Sequence, residues 1–283
     1  MTAAGARWSR AVSAAVLLAA VLAPALTPAQ ARAPLVAAHR GGALLWPENS
    51  LLAYRNALAL GVDFLETDVH LSRDGELVVV HDPTLDRTTT GTGAVRDHTR
   101  ADLAALRLKA RDGTVTSELL PTLAQLLDVL APSSAKLLLE IKVGPGRERY
   151  AGIEEKTLAL VKQRGLMDRV VVMAFEGPTI RRARELEPRL PTTLLVGRAR
   201  VERARVSGRE AVKWATAAGA TDLGIDFRVL DADVIADARA AGLRVAAWTV
   251  NEEADIQRVL ALGVDVVISD RPDVVKRLIG VAR

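Results

Sequence analysis

Cysteine is absent from the 283 residues, aromatic residues make up only 3 %, and histidine occurs four times. Without cysteine the chain has no disulfides and no thiolate metal ligands, so its stability must come from a packed core, with or without a metal held by oxygen and nitrogen. Four Trp, two Tyr and three Phe are too few for an aromatic belt at a lipid interface. They are also not interleaved with the basic residues, which are dispersed, and this argues against a nucleic-acid partner. A long apolar run is missing too. The best stretch, Ala11 to Leu26, is broken by Pro24 and falls short of the ~20 residues that span a bilayer.

That stretch follows Arg7 and Arg10 and precedes Ala29-Gln30-Ala31, the three-part pattern of a signal peptide over residues 1–31. Cleavage is expected after Ala31, or after Ala33 as the second choice. The mature chain is then exported, with no stable membrane insertion. Without residues 1–31 the basic residues number 36 against 34 acidic ones, a balance that supports no claim of polyanion binding. The remaining residues 34–283 are enough for one α/β barrel.

Short apolar, β-branched runs alternate with longer amphipathic ones. Strands are expected at 35–39, 62–69, 136–142, 169–174, 192–196, 221–226, 243–248 and 264–269. Helices are expected at 50–59, 122–130, 152–164, 179–186, 231–240 and 252–262. Eight buried strands with helices between them point to a parallel sheet closed as a (β/α)8 TIM barrel. Residues 71–120 break the rhythm with a hairpin around Asp74-Gly75, a strand ending at His81, and a Thr-, Gly- and Arg-rich excursion with a short helix near 101–106. They read as a short insertion after the second strand.

Barrel chemistry sits at the C-terminal ends of strands. Glu66 and Asp68 are two apart and share a face with Phe64, and Glu140 and Lys142 share a face after three leucines. Adjacent buried carboxylates need a cation or a proton between them. An all-oxygen set suits Mg²⁺ or Ca²⁺ better than zinc or copper. The competing account has Glu66 and Asp68 paired with rim arginines and Glu140 paired with Lys142. All four histidines (39, 70, 81 and 98) lie in one third of the chain. His39 and His81 close strands; either alone would more often be a satisfied core histidine, but two at strand ends suit a general acid and base, while His70 and His98 are expected at the surface.

The segments HRGG…PENS (39–50), GVDFLETDVHLSRDGELVVVHDPTLDRTTTGTG (61–93), LPTLAQLLDVL (120–130), LLLEIK (137–142), AAWTVN (246–251) and LGVDVVISDRPD (262–273) together resemble the glycerophosphodiester phosphodiesterase family. The resemblance covers Val36 to Asp273. It implies hydrolysis of a small glycerophosphodiester to glycerol 3-phosphate and an alcohol, with one divalent cation, Ca²⁺ or Mg²⁺. It further implies His39 and His81 as the acid/base pair, and Glu66, Asp68 and Glu140 as metal ligands. Arg40 and Lys142 would lie on the phosphate, Glu48 near the glycerol or the metal, and Trp248 in the pocket wall. Ser50 and Ser269 stand where Thr is commoner in the family, and neither touches a proposed catalytic atom. Water and the neighbouring glycerol hydroxyl both remain open as nucleophile. Rival readings are a phospholipase D of the sphingomyelinase D type, a teichoic-acid glycerophosphodiesterase, and an exported binding protein without turnover. The alcohol, the choice of ion and the oligomeric state are not fixed by the sequence.

Overall fold

The computed structural model describes residues 1–2 and 33–281. The expected signal peptide, Met1 and Thr2 aside, lies outside the described residues. Among the described residues eleven strands are formed: β1 (Leu35–Ala38), β2 (Phe64–Leu71), β3 (Leu77–Val79), β4 (Arg107–Lys109), β5 (Val115–Leu119), β6 (Lys136–Ile141), β7 (Val170–Ala174), β8 (Thr192–Val196), β9 (Asp222–Asp226), β10 (Arg244–Trp248) and β11 (Val266–Ser269). The helices are α1 (Leu51–Ala59), α2 (Arg100–Ala104), α3 (Leu123–Leu130), α4 (Ile153–Gln163), α5 (Gly177–Leu186), α6 (Arg198–Ala204), α7 (Glu210–Ala217), α8 (Ala232–Ala240), α9 (Glu253–Leu262) and α10 (Pro272–Val281).

Eight strands run parallel in the order β1-β11-β10-β9-β8-β7-β6-β2, and pairing of β1 with β2 closes the barrel. Period-two alternation then sorts the side chains. Ala37, Phe64, Leu138, Val171, Met173, Leu195, Ala246, Val266 and Ile268 pack together as one buried cluster inside the barrel. The opposite faces pack under the helices in a larger layer that includes Leu65, Leu137, Leu139, Val172, Leu223 and Val245. Strands buried on both faces explain the near-continuous apolar runs of the sequence.

The six expected helices form within a residue or two of their expected ends. Helices α6, α7 and α10 were not anticipated. Five arginines between 198 and 209 blur the apolar stripe of α6 and α7 until tertiary packing supplies it. The excursion is more ordered than its composition suggests. After the β2–β3 hairpin, Val78, Val80, Leu85, Val95, Leu103, Leu108 and Leu120 make a small core of their own. The antiparallel β4–β5 hairpin joins it through Leu108. The expected helix near 101–106 is the single turn-and-a-half of α2, fixed by Thr99 and Asp102, which form a reciprocal capping box. β3 ends at Val79, so His81 sits in the loop just past the strand.

Candidate active site

The turn after β1 places the first functional groups. Arg40 has φ +51° and Gly41 φ +80°, left-handed values that glycine adopts without cost and arginine does not. A Cβ on Gly41 would also come within 2.8 Å of the Ala53 Cβ. This tight reversal lets the Arg40 backbone N–H donate to Glu66 Oε2 at 2.7 Å while His39 stays at the barrel mouth. Ser50 then caps α1 by accepting from the Ala53 N–H.

Strand parity and register bring the carboxylates together. Asp68 is paired directly with Glu140 across β2 and β6. Glu66, Asp68 and Glu140 are all buried, with one oxygen from each lying within 4.8 Å of the others. The charge partners foreseen for Asp68 and Glu140 are also present, whereas Glu66 pairs with no arginine side chain among the described residues and takes only the Arg40 backbone N–H. Lys142 Nζ lies 2.6 Å from Glu140 Oε1 and 3.3 Å from Asp68 Oδ1, and Arg40 Nε is 3.6 Å from Asp68 Oδ2. Burial opposes ionisation of Asp68, but Lys142, Arg40 and the amide of Asn49 hold it well below the usual carboxylate range. Burial, together with the charges of Asp68 and Glu140, pushes Glu66 up. Three carboxylates this close do not all ionise unless more positive charge arrives.

The trio fits a divalent cation. The donors are all oxygen, and Asp68 Oδ1 and Arg40 Nε are buried without a hydrogen-bond partner among the described residues. Buried polar atoms rarely go unpaired, and a hard cation with its bound phosphate oxygens would satisfy both.

Each histidine is held by its own carboxylate. His39 Nδ1 donates to Asp270 Oδ1 at 2.6 Å, and His81 Nδ1 donates to Asp82 Oδ1 at 2.6 Å. Both rings therefore leave Nε2 for chemistry. Asp270 is steadied by Asn251, whose amide donates to Oδ2 at 2.8 Å and whose carbonyl accepts from the Asp270 N–H at 2.9 Å. Asp82 is gripped by Arg87, which turns its other edge onto both oxygens of Glu48 at 2.8 and 2.9 Å. Arg40 Nη1 binds the same Glu48 at 3.1 Å. Burial works against ionising Glu48, yet the hydrogen bonds from Arg87 and the charge of Arg40 lower its pKa.

A chamber of about 70 Å³ is lined by His39, Arg40, His81 and Glu140, with Phe175, Leu195 and Trp248 as its apolar wall. Trp248 meets Phe175 edge-on at 5.4 Å. A larger cleft of about 670 Å³ opens beside it, sharing His39 and Arg40. A small polar chamber with two free imidazole nitrogens, the Glu140 carboxylate and a guanidinium is equipped for proton transfer on a bound phosphoryl group.

A family model described as "Glycerophosphoryl diester phosphodiesterase family" matches residues 39–274. The chain belongs to this family. A glycerophosphodiester phosphodiesterase of Caldanaerobacter subterraneus subsp. tengcongensis is 31 % identical over 246 residues, 87 % of this chain and 97 % of the relative. One from Bacillus subtilis is 33 % identical, with 84 % of each chain covered. Among solved structures, one from Agrobacterium tumefaciens superimposes with a TM-score of 0.81 at 27 % identity, covering 88 % of this chain and 98 % of that one. A phosphodiesterase of Oleispira antarctica, solved with the product sn-glycerol-3-phosphate, gives 0.73 at 29 % identity over 87 % and 97 %. The chain is thus a glycerophosphodiester phosphodiesterase on a TIM barrel.

Within this phosphodiesterase, every sequence-predicted site residue lies at the C-terminal end of the barrel: His39, His81, Arg40, Glu48, Lys142, Trp248, Glu66, Asp68 and Glu140. Glu48 is committed to two arginines, and Lys142 to two carboxylates. The expectation that His70 is exposed was wrong. It is fully buried on β2, its Nε2–H donates to the His81 carbonyl at 3.1 Å, and its Nδ1 accepts from the Tyr150 hydroxyl at 2.8 Å. It fell inside the strand because β2 runs on to Leu71 rather than stopping at Val69. His98 is half-buried, with Nε2 on the Thr92 carbonyl. Asp82, Arg87, Asp270 and Asn251 were missed as site residues, although all lie in the motif segments. Asn49 donates to Asp68 Oδ2 at 2.9 Å and accepts from the buried Tyr54 hydroxyl at 2.6 Å.

Proposed function

We propose that the chain hydrolyses small glycerophosphodiesters with a divalent cation, Ca²⁺ or Mg²⁺, and the His39/His81 pair as general acid and base. The observation that carries this reading is the chamber into which both imidazoles look, each ring fixed by a carboxylate so that Nε2 is the reactive nitrogen. The glycerol end takes the apolar wall of Phe175, Leu195 and Trp248, and the alcohol extends into the larger cleft.

A phosphodiester is protected by its own negative charge. Arg40 and Lys142 offset that charge on the phosphoryl oxygens. A cation held by Glu66, Asp68 and Glu140 would add Lewis-acid neutralisation of the same oxygens. One histidine takes a proton from the nucleophile at Nε2, and the other gives one to the departing alcohol oxygen. Asp82 and Asp270 stabilise whichever ring is positive at each stage. The Arg87–Glu48 pair ties the His81 loop to the Arg40 turn, so the two halves of the acid/base pair keep their separation.

Export through the residue 1–31 leader is part of the same proposal, and N-terminal sequencing of the processed chain tests it, with Arg32 or Pro34 as the expected first residue. The activity test is release of glycerol 3-phosphate from glycerophosphocholine with Ca²⁺, with Mg²⁺ and with EDTA, and with a lysophospholipid in parallel. Cation-dependent release from the soluble diester, lost in His81→Ala, is the expected result. Turnover of the lysolipid alone would move the chain to the phospholipase D reading, and full turnover by His81→Ala would remove the acid/base assignment.

A further inference from the structure

The larger cleft has a wall that the hydrolytic chemistry does not use. The insertion supplies Thr88 from the loop after Arg87, and Lys109 and Arg111 from the β4–β5 hairpin. These elements are tied together: the Lys109 backbone N–H donates to the Thr88 carbonyl at 2.8 Å, and Lys109 Nζ reaches the Asp86 carbonyl at 3.0 Å. Thr88 is 94 % buried, being 6 % exposed, and its hydroxyl oxygen has no partner among the described residues. A buried hydroxyl left unpaired is costly, so it marks a place for a ligand atom or water.

The charges on this wall are uncommitted. Arg40 and Arg87 in the same cleft are spent on Glu48, Asp68 and Asp82. Lys109 and Arg111 have no carboxylate within 4 Å among the described residues, since neither takes part in any ion pair found there. The acids of the cleft are likewise accounted for: Glu48 is held by two arginines and Asp270 by His39. Among the described residues Glu252, from the loop before α9, is the one lining acid without such a partner, so the net unpaired charge of the cleft is positive.

We propose that Thr88, Lys109 and Arg111 form a subsite for a second phosphate carried by the leaving alcohol. The preferred substrate is therefore a glycerophosphodiester whose alcohol bears a further phosphoryl group. This rests on the placement of the alcohol in the larger cleft. The three groups match the ligand: a hydroxyl that donates, a lysine point charge and an arginine fork are the usual partners of a phosphoryl group. Two sources share that chemistry, namely a terminal phosphomonoester and the next phosphodiester of a glycerol phosphate chain.

The test compares kcat/KM of the full processed chain on three substrates: glycerophosphoglycerol, the same diester with a terminal phosphate, and a short glycerol phosphate oligomer. At least a tenfold preference for one of the two doubly phosphorylated substrates is expected, and which one leads identifies the source. In the Lys109→Ala/Arg111→Ala double variant that ratio falls to about one. In Glu252→Gln it rises, because an opposing charge is gone. Equal kcat/KM on all three substrates, or a ratio unchanged in the double variant, overturns the subsite while leaving the phosphodiesterase reading in place. Calorimetric binding of glycerol phosphate oligomer to His81→Ala gives a readout without turnover. At least tenfold weaker binding after adding the double substitution supports the subsite even if no diester is cleaved, and unchanged binding overturns it.

Discussion

Asp270→Asn isolates the contribution of a carboxylate that lies 231 residues from the histidine it orients. The substitution keeps the shape of the side chain and the backbone N–H bond to the Asn251 carbonyl, so the fold should survive, although the new amide can accept from only one of His39 and Asn251. What disappears is the negative charge 2.6 Å from His39 Nδ1. That charge matters when the ring is positive. Unit charges about 4 Å apart interact by about 4 kcal/mol at an effective dielectric of about 20. A charge-assisted hydrogen bond is worth about 1.5–3 kcal/mol net. Both partners are about one-sixth exposed, 16 % and 17 %, which pulls the value toward the lower end. The expected loss is about 2–4 kcal/mol of transition-state stabilisation, or roughly 30- to 1000-fold in kcat at 1.36 kcal/mol per decade. Steady-state assay of glycerol 3-phosphate release measures it, with thermal unfolding to confirm an intact fold. A kcat within threefold of the parent, in a variant that melts normally, would refute the role of Asp270 in supporting His39.

Three further outcomes are expected. Adding Ca²⁺ or Mg²⁺ to chelated protein at a hundred times its Kd should stabilise the fold by about 2.7 kcal/mol, a rise in Tm of about 5–10 °C for a domain of this size. The rise should vanish in Asp68→Asn or Glu140→Gln, and a rise that persists in both would place the ion elsewhere. Arg87→Ala frees Glu48 and Asp82 at once and should lower kcat about 10- to 100-fold, the cost of losing one charge-assisted hydrogen-bond pair. Arg87→Lys should recover little, since it lacks the planar fork, and an Arg87→Ala enzyme with full turnover would remove this link from the site. Burial holds His70 down at about 4, below the ~6.5 of an unfolded chain. Between those values the unfolded chain binds the extra proton, so the stability from the neutral ring is complete above ~6.5 and is lost as the pH falls toward 4. Unfolding free energies at pH 7.5 and 5 should differ by about 2 kcal/mol less in His70→Asn than in the parent; equal pH sensitivity would show that His70 is not the group responsible.

The barrel and its carboxylates were legible because strand periodicity is a local property. Side chains two apart share a face wherever the strand is placed, so Glu66 with Asp68 and Glu140 with Lys142 could be read before any fold was known. His70 shows where this kind of reading fails. One strand running two residues further than expected moved an imidazole from solvent to the core, and strand ends are set by the partner hairpin rather than by the strand's own sequence.

Apart from the His81–Asp82 pair, which joins adjacent residues, the links between functional groups belong to the tertiary structure. Closure of β1 against β11 brings Asp270 to His39. Folding of the insertion over the barrel mouth sets Arg87 between Glu48 and Asp82, and turns Lys109 and Arg111 toward the same cleft. In the sequence, Arg87 is one of many arginines in polar surroundings, with nothing in its neighbours to separate it from a solvated surface charge. The sequence by itself determined which residue types line the barrel and which polar groups gather at its C-terminal end. The tertiary structure decided which carboxylate steadies which histidine and which cations stay free, because charge pairing acts through distances in space that neither spacing nor composition encodes.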